Sequence, residues 1–582
     1  MLILGLNAYH PDASACLLRD GELVAAVAEE RLGPRVKHMA GFPALAIRQV
    51  LAMAGAEIMD VDYVALGHDN NANLSAKVAH VMAHPMRSAQ SVAGHFARRG
   101  KMTSLKERVA AGCDVDPAQC RFEVVEVEHH LAHLASSFFA SPFEEAAGFS
   151  YDGSGDFVSG MYARCRGNDI EVLGRIHVPH SLGFFYTALC QFIGFTQFGE
   201  EYKVMGLSAY GQPRYADFLQ SVLPVNGDGQ YRLNQRFIQP VGGKSFEDCI
   251  NAKGEIVLPA MFTKKLVKEL GLPRARGAEL TQRDKDVAAS CQKHFEEVVL
   301  RCVRWLHTQS PSANIVTAGG CALNGVCNAR ILRDSPFRRS YIQCAASDDG
   351  TAIGAALYVW CALLGMPRPS PIERADWGPE YTEPQIESAL RAAGLEFERL
   401  AEPDLLRRVA EHLHAGQVVG WYQGRSEWGP RALGNRSILA HPGWPGMKDL
   451  INQKIKRREA FRPFAPTILA EEVPHWFEQS VESPFMMHVV KIRPERRVAL
   501  AAVCHEDHTG RLHTVKRSQN RRYYDLIKTF AGLSGVPVVL NTSFNENEPI
   551  VDTPEQAVAC YRRSDIDVLC AGPFLTRKPQ IA

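Results

Sequence analysis

Two histidines four residues apart are the first candidates for chemistry in this chain. His129 and His133 lie in the segment EHHLAHLASSFFA, which is rich in helix-forming Leu and Ala and contains neither Gly nor Pro. Residues i and i+4 of a helix project from one face, about 6 Å apart, so both imidazoles can bind one metal ion. Most such pairs belong to an ordinary helix surface or core, so further ligands are needed to support a metal site.

Asp152 is a candidate for such a ligand. It ends a short apolar strand, AAGFSY, and opens a loop with two glycines and a second acid, DGSGD. The free N–H groups of such a turn, that of Gly153 among them, can hold phosphate while a carboxylate faces a cation. Two neutral imidazoles and a carboxylate suit Fe(II), Mn(II) or Zn(II) better than Mg(II), which prefers oxygen ligands. These residues predict a site for a metal ion and a nucleotide.

Four further residues are candidates for nucleotide binding. A strand at 314–317 runs into Gly319-Gly320, and paired glycines after a strand let the backbone approach a nucleotide closely. Asn324 would then reach a ribose or a phosphate. Lys203, in the segment GEEYKVMGL, can contact phosphate, although a single lysine usually faces solvent.

Asp348 is a candidate fourth ligand of the metal. It follows a predicted strand at 341–344 and stands at the start of the apolar helix TAIGAALYVWCALL. The competing role for Asp348 or for Asp349 is that of a helix N-cap, for which aspartate is a preferred residue.

The segments that carry these residues repeat one plan. Residues 2–30 are predicted to form a strand, a polar loop, a strand, a turn at 20–21 and a strand, and residues 146–175 repeat this order with a turn at 168–169. An internal duplication predicts two related lobes whose loops face a shared cleft, which is the arrangement of actin-like and hexokinase-like ATPases. The alternative is that two unrelated hairpins look alike.

Length and charge limit the class of protein. A chain of 582 residues is expected to form two or more domains. With 65 basic and 64 acidic residues the net charge is +1, so we expect no recruitment of nucleic acid or of an anionic membrane. Fifteen cysteines without a CxxC pair indicate reduced thiols. No apolar run reaches the roughly 20 residues that a membrane span needs, so we expect a soluble cytoplasmic protein, and a homodimer.

A second domain follows a proline-rich linker. Pro367, Pro369 and Pro371, followed by Trp-Gly-Pro, place the boundary near 368–382. Beyond it, Arg431 and Arg462 lie among Gly, Pro and apolar residues, where an unpaired cation would be costly. We therefore predict a pocket in which arginines bind a small phosphorylated ligand.

Six motifs together make the chain resemble the NodU-type O-carbamoyltransferase family over essentially its whole length. They are HHLAH, YDGSGD, GEEYKVMGLSAYG, SEWGPRALGNRS, AFRPFAP and NTSFNENEPI. The resemblance implies an α/β protein in which an actin/hexokinase-like (ASKHA) domain, 1–367, is fused to a YrdC-like domain, 383–582. It implies Fe(II), or another divalent metal with or without Mg, bound with ATP phosphates by His129, His133, Asp152 and Asp348. It also implies a carbamoyl-phosphate pocket formed by Arg431, Lys456, Arg462, Arg511, Asn541 and Ser543.

The resemblance also implies a mechanism. Carbamoyl phosphate yields a carbamoyl unit in the second domain, ATP converts it to carbamoyl adenylate, and the first domain transfers it to a hydroxyl of a small molecule. An acceptor hydroxyl needs a general base at hydrogen-bond distance. By resemblance the catalytic residues are His10, as the base, and Asp12. Pro11 lies between His10 and Asp12, and this spacing differs by one residue from that in some members of the family.

Three other functions fit part of this pattern. A tRNA threonylcarbamoyl transferase shares the HxxxH and Gly-Gly features, but tRNA binding should leave a basic surface, and the net charge is near zero. A non-catalytic actin-like scaffold would need neither the histidine pair nor the anion pocket. A sugar kinase would have no use for a second domain rich in arginine.

Overall fold

A computed structural model describes residues 1–33, 35–83, 104–243, 249–251 and 254–578. The chain divides into two compact units, Met1–Ile372 and Glu373–Ala582. The division falls inside the proline-rich segment that separates the predicted domains.

The first unit contains two five-stranded sheets of the same topology. The first sheet consists of β1 (Leu2–Asn7), β2 (Ser14–Arg19), β3 (Glu22–Ala28), β4 (Tyr63–Leu66) and β5 (Glu123–Glu126). The second consists of β6 (Glu145–Gly155), β7 (Val158–Arg166), β8 (Asp169–His177), β9 (Asn314–Ala318) and β10 (Arg339–Tyr341). The strand orders are β3-β2-β1-β4-β5 and β8-β7-β6-β9-β10.

The pairing directions also repeat between these two sheets. β1 is antiparallel to β2 and parallel to β4, and β6 is likewise antiparallel to β7 and parallel to β9. The predicted duplication is therefore confirmed, and we call the two halves the first lobe and the second lobe. Because β1 with β4, and β6 with β9, run parallel, the loops that follow these strands lie at one edge of each sheet.

Twelve α-helices connect and cover the sheets of the first unit in its described part. They are α1 (Glu29–Leu32), α2 (Ala44–Ala54), α3 (Leu74–Ala83), α4 (Leu105–Gly112), α5 (His129–Phe138), α6 (Leu182–Phe192), α7 (Glu201–Leu207), α8 (Ala216–Val222), α9 (Lys264–Leu270), α10 (Gln282–Gln309), α11 (Gly325–Asp334) and α12 (Gly350–Leu357). A capping box of Thr281 and Asp284 begins α10. Gly354 lets α12 approach α5, because a Cβ there would lie 1.8 Å from the Ala132 carbonyl oxygen.

Three local predictions differ from the structure. β6 continues through the DGSG segment to Gly155, so Asp152 lies within a strand rather than in a loop. The short strand predicted at 341–344 lies at Arg339–Tyr341. The apolar helix predicted from Thr351 changes to π-helical geometry at Tyr358–Leu363. The polar segment 70–104 has no clear pattern in the sequence and predicts either a cap that faces the substrate or a solvated surface insertion. It contains α3, and its residues 84–103 lie outside the described part.

The second unit is built on one mixed sheet. Its strands are β11 (Glu398–Arg399), β12 (Val419–Tyr422), β13 (Arg436–Ala440), β14 (Ala465–Leu469), β15 (His488–Lys491), β16 (Thr509–Val515), β17 (Val538–Ser543), β18 (Val568–Ala571) and β19 (Phe574–Arg577). Their order is β11-β19-β18-β12-β13-β17-β14-β16-β15. The helices are α13 (Glu383–Ala392), α14 (Glu402–His414), α15 (Met447–Leu450), α16 (Val473–Trp476), α17 (Arg521–Ser534) and α18 (Pro554–Arg563). The predicted α/β class of this unit is confirmed.

Two features of composition can be compared with the structure. All fifteen cysteines are free thiols, as their scattered positions predict. Within the described ranges, every helix is too short or too polar to cross a lipid bilayer.

Candidate active site

The structure brings the two candidate histidines together at the beginning of α5. Both side chains are fully buried, and their Nε2 atoms lie 3.1 Å apart. The His129 ring fits there because residue 155 is glycine: a Cβ at Gly155 would lie 2.1 Å from Cδ2 of His129. The i, i+4 prediction of a shared face is therefore matched by the observed geometry.

Two carboxylates complete a cluster of four donors. Asp152 Oδ2 lies 3.2 Å from Nε2 of His133, and Asp348 Oδ1 lies 3.5 Å and 3.4 Å from Nε2 of His129 and His133. One donor atom from each residue can be chosen so that all four lie within 4.8 Å of one another. This convergence of two imidazoles and two carboxylates is a donor set that fits a divalent transition metal.

The electrostatics of the cluster favour a positive charge. Burial lowers the pKa of His133, but hydrogen bonds to Asp152 and Asp348 and their charges outweigh this effect and raise the pKa to about 9. The pKa of Asp348 is held well below its usual value because the charges and hydrogen bonds of His129 and His133 outweigh burial. A bound proton or metal cation is thus stabilised between the carboxylates.

Asp348 and Asp349 have different roles in the structure. The Asp349 carboxylate accepts the Gly350 N–H at 3.1 Å and is the N-cap of α12. Asp348 turns its carboxylate towards the histidines instead. Both roles considered from the sequence are present, one at each aspartate.

The predicted phosphate-binding N–H groups contact Asp152. The Gly153 N–H donates to Oδ1 at 2.6 Å, and the Gly320 N–H donates to Oδ2 at 3.0 Å. Gly319 has φ +94°, and a Cβ there would lie 2.3 Å from the Tyr151 carbonyl oxygen, so this position requires glycine. The glycines thereby orient a metal-ligand candidate, and their contact with a nucleotide stays a prediction.

Lys203 and Asn324 make contacts inside the first unit. Lys203 forms an ion pair with Glu200 at 2.7 Å. Asn324 caps α11 and exchanges hydrogen bonds of 2.9 Å and 3.0 Å with the side-chain amide of Gln292. Their predicted roles in nucleotide binding are not tested by these contacts.

His10 lies beside the four-donor cluster. Its ring stacks on that of His129 with centroids 4.8 Å apart, and its Nδ1 lies 3.9 Å from Asp348 Oδ2. Burial, with the charges of His129 and His68, lowers the pKa of His10 to about 3, so its imidazole is neutral near pH 7. The candidate base therefore stands next to the candidate metal ligands.

Asp12 is held by a histidine that the sequence analysis missed. Asp12 adopts φ +58°, and its Oδ1 lies 2.8 Å from Nδ1 of His38. Burial lowers the pKa of His38, but the charge and hydrogen bond of Asp12 outweigh it and raise the pKa to about 9. His38 is also confined by Gly199, where a Cβ would lie 2.0 Å from Nε2.

His68 and Asp156 were also missed. His68 follows β4, and its Nδ1 lies 3.3 Å from Nε2 of His10 and 2.5 Å from Oδ1 of Asp156. Oδ2 of Asp156 accepts the backbone N–H groups of Asp69 at 2.9 Å and of His129 at 2.7 Å. The sequence did contain a signal for His68. In a duplicated fold the loop after β4, which carries His68, corresponds to the Gly-Gly loop after β9, which was a candidate site loop.

The second unit brings Lys456 and Ser543 into contact. Lys456 Nζ donates to the carbonyl oxygen of Ser543 at 2.5 Å and to its Oγ at 3.2 Å. The same Nζ donates to the carbonyl and amide oxygens of Asn545 at 2.7 Å and 2.5 Å. This lysine is almost fully buried, so these acceptors hold its charge at the end of β17.

Asn541 and Arg511 lie on neighbouring parts of the same sheet. Asn541 Nδ2 donates to the Ala432 carbonyl oxygen at 3.0 Å and to Thr467 Oγ1 at 3.1 Å. Thr467 Oγ1 lies 2.9 Å from Nδ1 of His513, which is two residues after Arg511 on β16. Because alternate strand residues share a face, Arg511 projects from the face that carries Asn541.

Arg431 and Arg462 lie in loops that border this face. Arg431 directly precedes Ala432, whose carbonyl oxygen bonds Asn541. Arg462 stands just before β14, its side chain is 16% exposed, and its guanidinium lies 3.6 Å from Glu459. The six candidates therefore lie on or next to one region of the sheet, and their binding of carbamoyl phosphate stays a prediction.

Comparison with known proteins identifies the family. The family model described as carbamoyltransferase N-terminus matches residues 2–357, and that described as carbamoyltransferase C-terminus matches residues 410–578. The chain belongs to the carbamoyltransferase family. The resemblance that its motifs suggested is confirmed, and the chain is a carbamoyltransferase enzyme rather than a non-catalytic scaffold.

Curated relatives of this carbamoyltransferase include two nodulation proteins. NolNO of Sinorhizobium fredii is 36% identical over 98% of this chain and 80% of its own length. Nodulation protein U of Rhizobium tropici is 27% identical over 99% of this chain and 96% of its own length. Among solved structures, the activator of the 2-hydroxyisocaproyl-CoA dehydratase from Clostridium difficile with bound ADPNP covers 62% of this chain and 94% of its own, with 13% identity and a TM-score of 0.32. The duplicated strand order, and not this weak similarity, supports the actin/hexokinase-like fold.

Proposed function

We propose that this carbamoyltransferase uses carbamoyl phosphate and ATP to carbamoylate a hydroxyl group of a small molecule. The observation that carries the proposal is the placement of His10 against the cluster of His129, His133, Asp152 and Asp348. A proton acceptor beside a cation site is what transfer to a hydroxyl from an activated phosphate ester requires.

The reaction divides between the two units. In the second unit, water cleaves carbamoyl phosphate to carbamate and phosphate. A carbamate oxygen then attacks the α-phosphorus of ATP, the bond to the β-phosphate breaks, and carbamoyl adenylate and pyrophosphate form. In the first unit, the acceptor oxygen attacks the carbamoyl carbon, the bond to the phosphate oxygen breaks, and AMP leaves. His10 takes the proton of the acceptor hydroxyl.

The four-donor cluster would hold one divalent metal. Its nitrogen and oxygen donors favour Fe(II), Mn(II) or Zn(II), and Fe(II) is the ion that the motif resemblance implies. When bound, the ion would neutralise charge on the nucleotide phosphates. Asp152 is kept in place for this role by the N–H groups of Gly153 and Gly320.

In the second unit, a carbamoyl-phosphate pocket would form on the sheet face that carries Asn541 and Arg511. Planar guanidinium groups match the oxygens of a phosphate, and those of Arg431, Arg462 and Arg511 would supply the positive charge. Lys456 would assist through Ser543, which it already contacts.

An exchange assay tests this function without knowledge of the acceptor. Labelled pyrophosphate should enter ATP only when carbamoyl phosphate is present, because adenylate formation is reversible. A panel of polyhydroxylated small molecules, with tRNA in parallel, should then show the mass increase of one carbamoyl group and release AMP. Absence of carbamoyl-phosphate-dependent exchange would refute the adenylate route, and modification of tRNA alone would favour the tRNA-modifying alternative.

A further inference from the structure

A cavity in the second unit is lined by a buried carboxylate that the proposed reaction has not used. The cavity has a volume of about 370 Å³, counting space open to solvent. Glu427, Leu433, Phe485 and His513 are among its lining residues.

The two oxygens of Glu427 have different surroundings. Oε1 accepts three backbone N–H groups, from Leu433 at 2.8 Å, Asn435 at 2.7 Å and Arg436 at 3.1 Å. Oε2 is buried and has no hydrogen-bond partner among the described residues, and the whole residue is only 3% exposed. A buried acceptor without a donor is costly, so a ligand that donates a hydrogen bond is expected to complete it.

Glu427 is connected to the candidate carbamoyl-phosphate pocket through one peptide unit. The Leu433 N–H donates to Glu427, and the adjoining Ala432 carbonyl accepts from Asn541. Oδ1 of Asn541 is a second buried acceptor without a partner in the described part of the chain. The loop that carries Glu427 also carries Arg431, so one loop contributes both a carboxylate and a guanidinium.

We propose that Oε2 of Glu427 accepts a hydrogen bond from the carbamoyl NH₂ group and thereby selects carbamoyl phosphate over acyl phosphates. The inference rests on the proposed function, in which carbamoyl phosphate is the donor substrate. Acetyl phosphate is its near-isostere, with a methyl group in place of the NH₂. A site with an unpartnered buried carboxylate oxygen favours the amide over the methyl analogue, because only the NH₂ group supplies the donor that this oxygen lacks.

Titration calorimetry with carbamoyl phosphate and acetyl phosphate tests the selection. The wild-type protein should bind carbamoyl phosphate about 10-fold to 100-fold more tightly, which is the range expected for a hydrogen bond to a charged group. Glu427→Gln keeps one oxygen for the three backbone donors and places an amide NH₂ against the ligand NH₂. The variant should therefore lose the preference, mainly through weaker binding of carbamoyl phosphate. Glu495→Gln, at an exposed position of the same unit, is the matched control and should keep the preference.

Each outcome decides a different point. Equal wild-type affinity for the two phosphates overturns the role of Glu427 and leaves the proposed function standing, and this comparison does not depend on the folding of any variant. A folded Glu427→Gln protein that still prefers carbamoyl phosphate also overturns it. Wild-type protein that binds neither phosphate overturns the inference together with the proposed donor.

Discussion

Replacement of Gly155 by alanine should remove bound metal without changing any ligand. The new Cβ would lie 2.1 Å from Cδ2 and 2.7 Å from Nε2 of His129, whereas Cβ contacts in proteins are essentially never under 3.0 Å. The His129 ring must therefore move by about 0.9 Å. Because the ring is fully buried, the side chains packed around it oppose this movement. Metal–ligand distances tolerate only about 0.2 Å. We expect loss of the ion and a decrease of about 1–3 kcal/mol in the free energy of unfolding from overpacking.

The assay is metal content per chain by mass spectrometry after dialysis against a limiting amount of Fe(II) or Zn(II), with thermal unfolding in parallel. Gly153→Ala is the matched control, because its Cβ would meet its nearest neighbour, Phe184 Cε1, at 3.6 Å, an ordinary contact. The control should keep its metal. A Gly155→Ala protein with wild-type metal content would show that His129 is not a ligand. A wild-type protein that binds no metal would show the same, because the site itself would then be absent.

Three further changes test the anion pocket of the second unit, the candidate base and the ion pair of Asp12. Arg462→Ala should abolish carbamoyl-phosphate consumption but leave ATP binding intact, whereas Arg457→Ala, whose side chain is 61% exposed, should not; equal turnover of both variants would contradict the pocket. His10→Asn should keep carbamoyl-phosphate-dependent pyrophosphate exchange and lose transfer to an acceptor, and normal transfer would place the base elsewhere. Asp12→Asn should lower the pKa of His38 from about 9. The raised pKa of His38 stabilises the fold at pH values below the ordinary histidine pKa, and this contribution disappears as the pH rises through 9. The loss of unfolding free energy in Asp12→Asn should therefore be larger at pH 7 than at pH 10. A loss that does not depend on pH would refute the role of the ion pair.

Two predictions, one from local spacing and one from a repeated pattern, agree with the structure. The helical face of His129 and His133 follows from the 3.6-residue period, and the duplicated sheets follow from two similar strand-loop-strand patterns. The choice between Asp348 and Asp349 stayed open because adjacent residues at a helix start are equally suited to capping, and only the direction of each side chain decides.

Contacts between distant segments could not be predicted in the same way. Asp156 and Glu427 lie within motifs noted in the sequence, but their roles and that of His68 could not be assigned there, because they come from groups that only the fold brings near them. The argument that a cation in apolar surroundings needs an anion also has an exception. Arg436 is fully buried, donates to the carbonyl oxygens of Gln423 and Gly424, and stacks on an aromatic ring. Neutral carbonyl groups can therefore stabilise a guanidinium that would look like an anion site in the sequence.

The Asp156 carboxylate has a mechanical consequence for the first unit. It belongs to the second-lobe hairpin, yet it accepts from the Asp69 N–H and contacts His68, both on the first-lobe loop after β4. Any hinge motion that widens the gap between the lobes must break these contacts, because His68 would move with His10 on the first lobe while Asp156 stays with the second. Opening for exchange of substrates would then remove the carboxylate that holds the histidine beside the base, so the group around His10 is complete only when the lobes are closed.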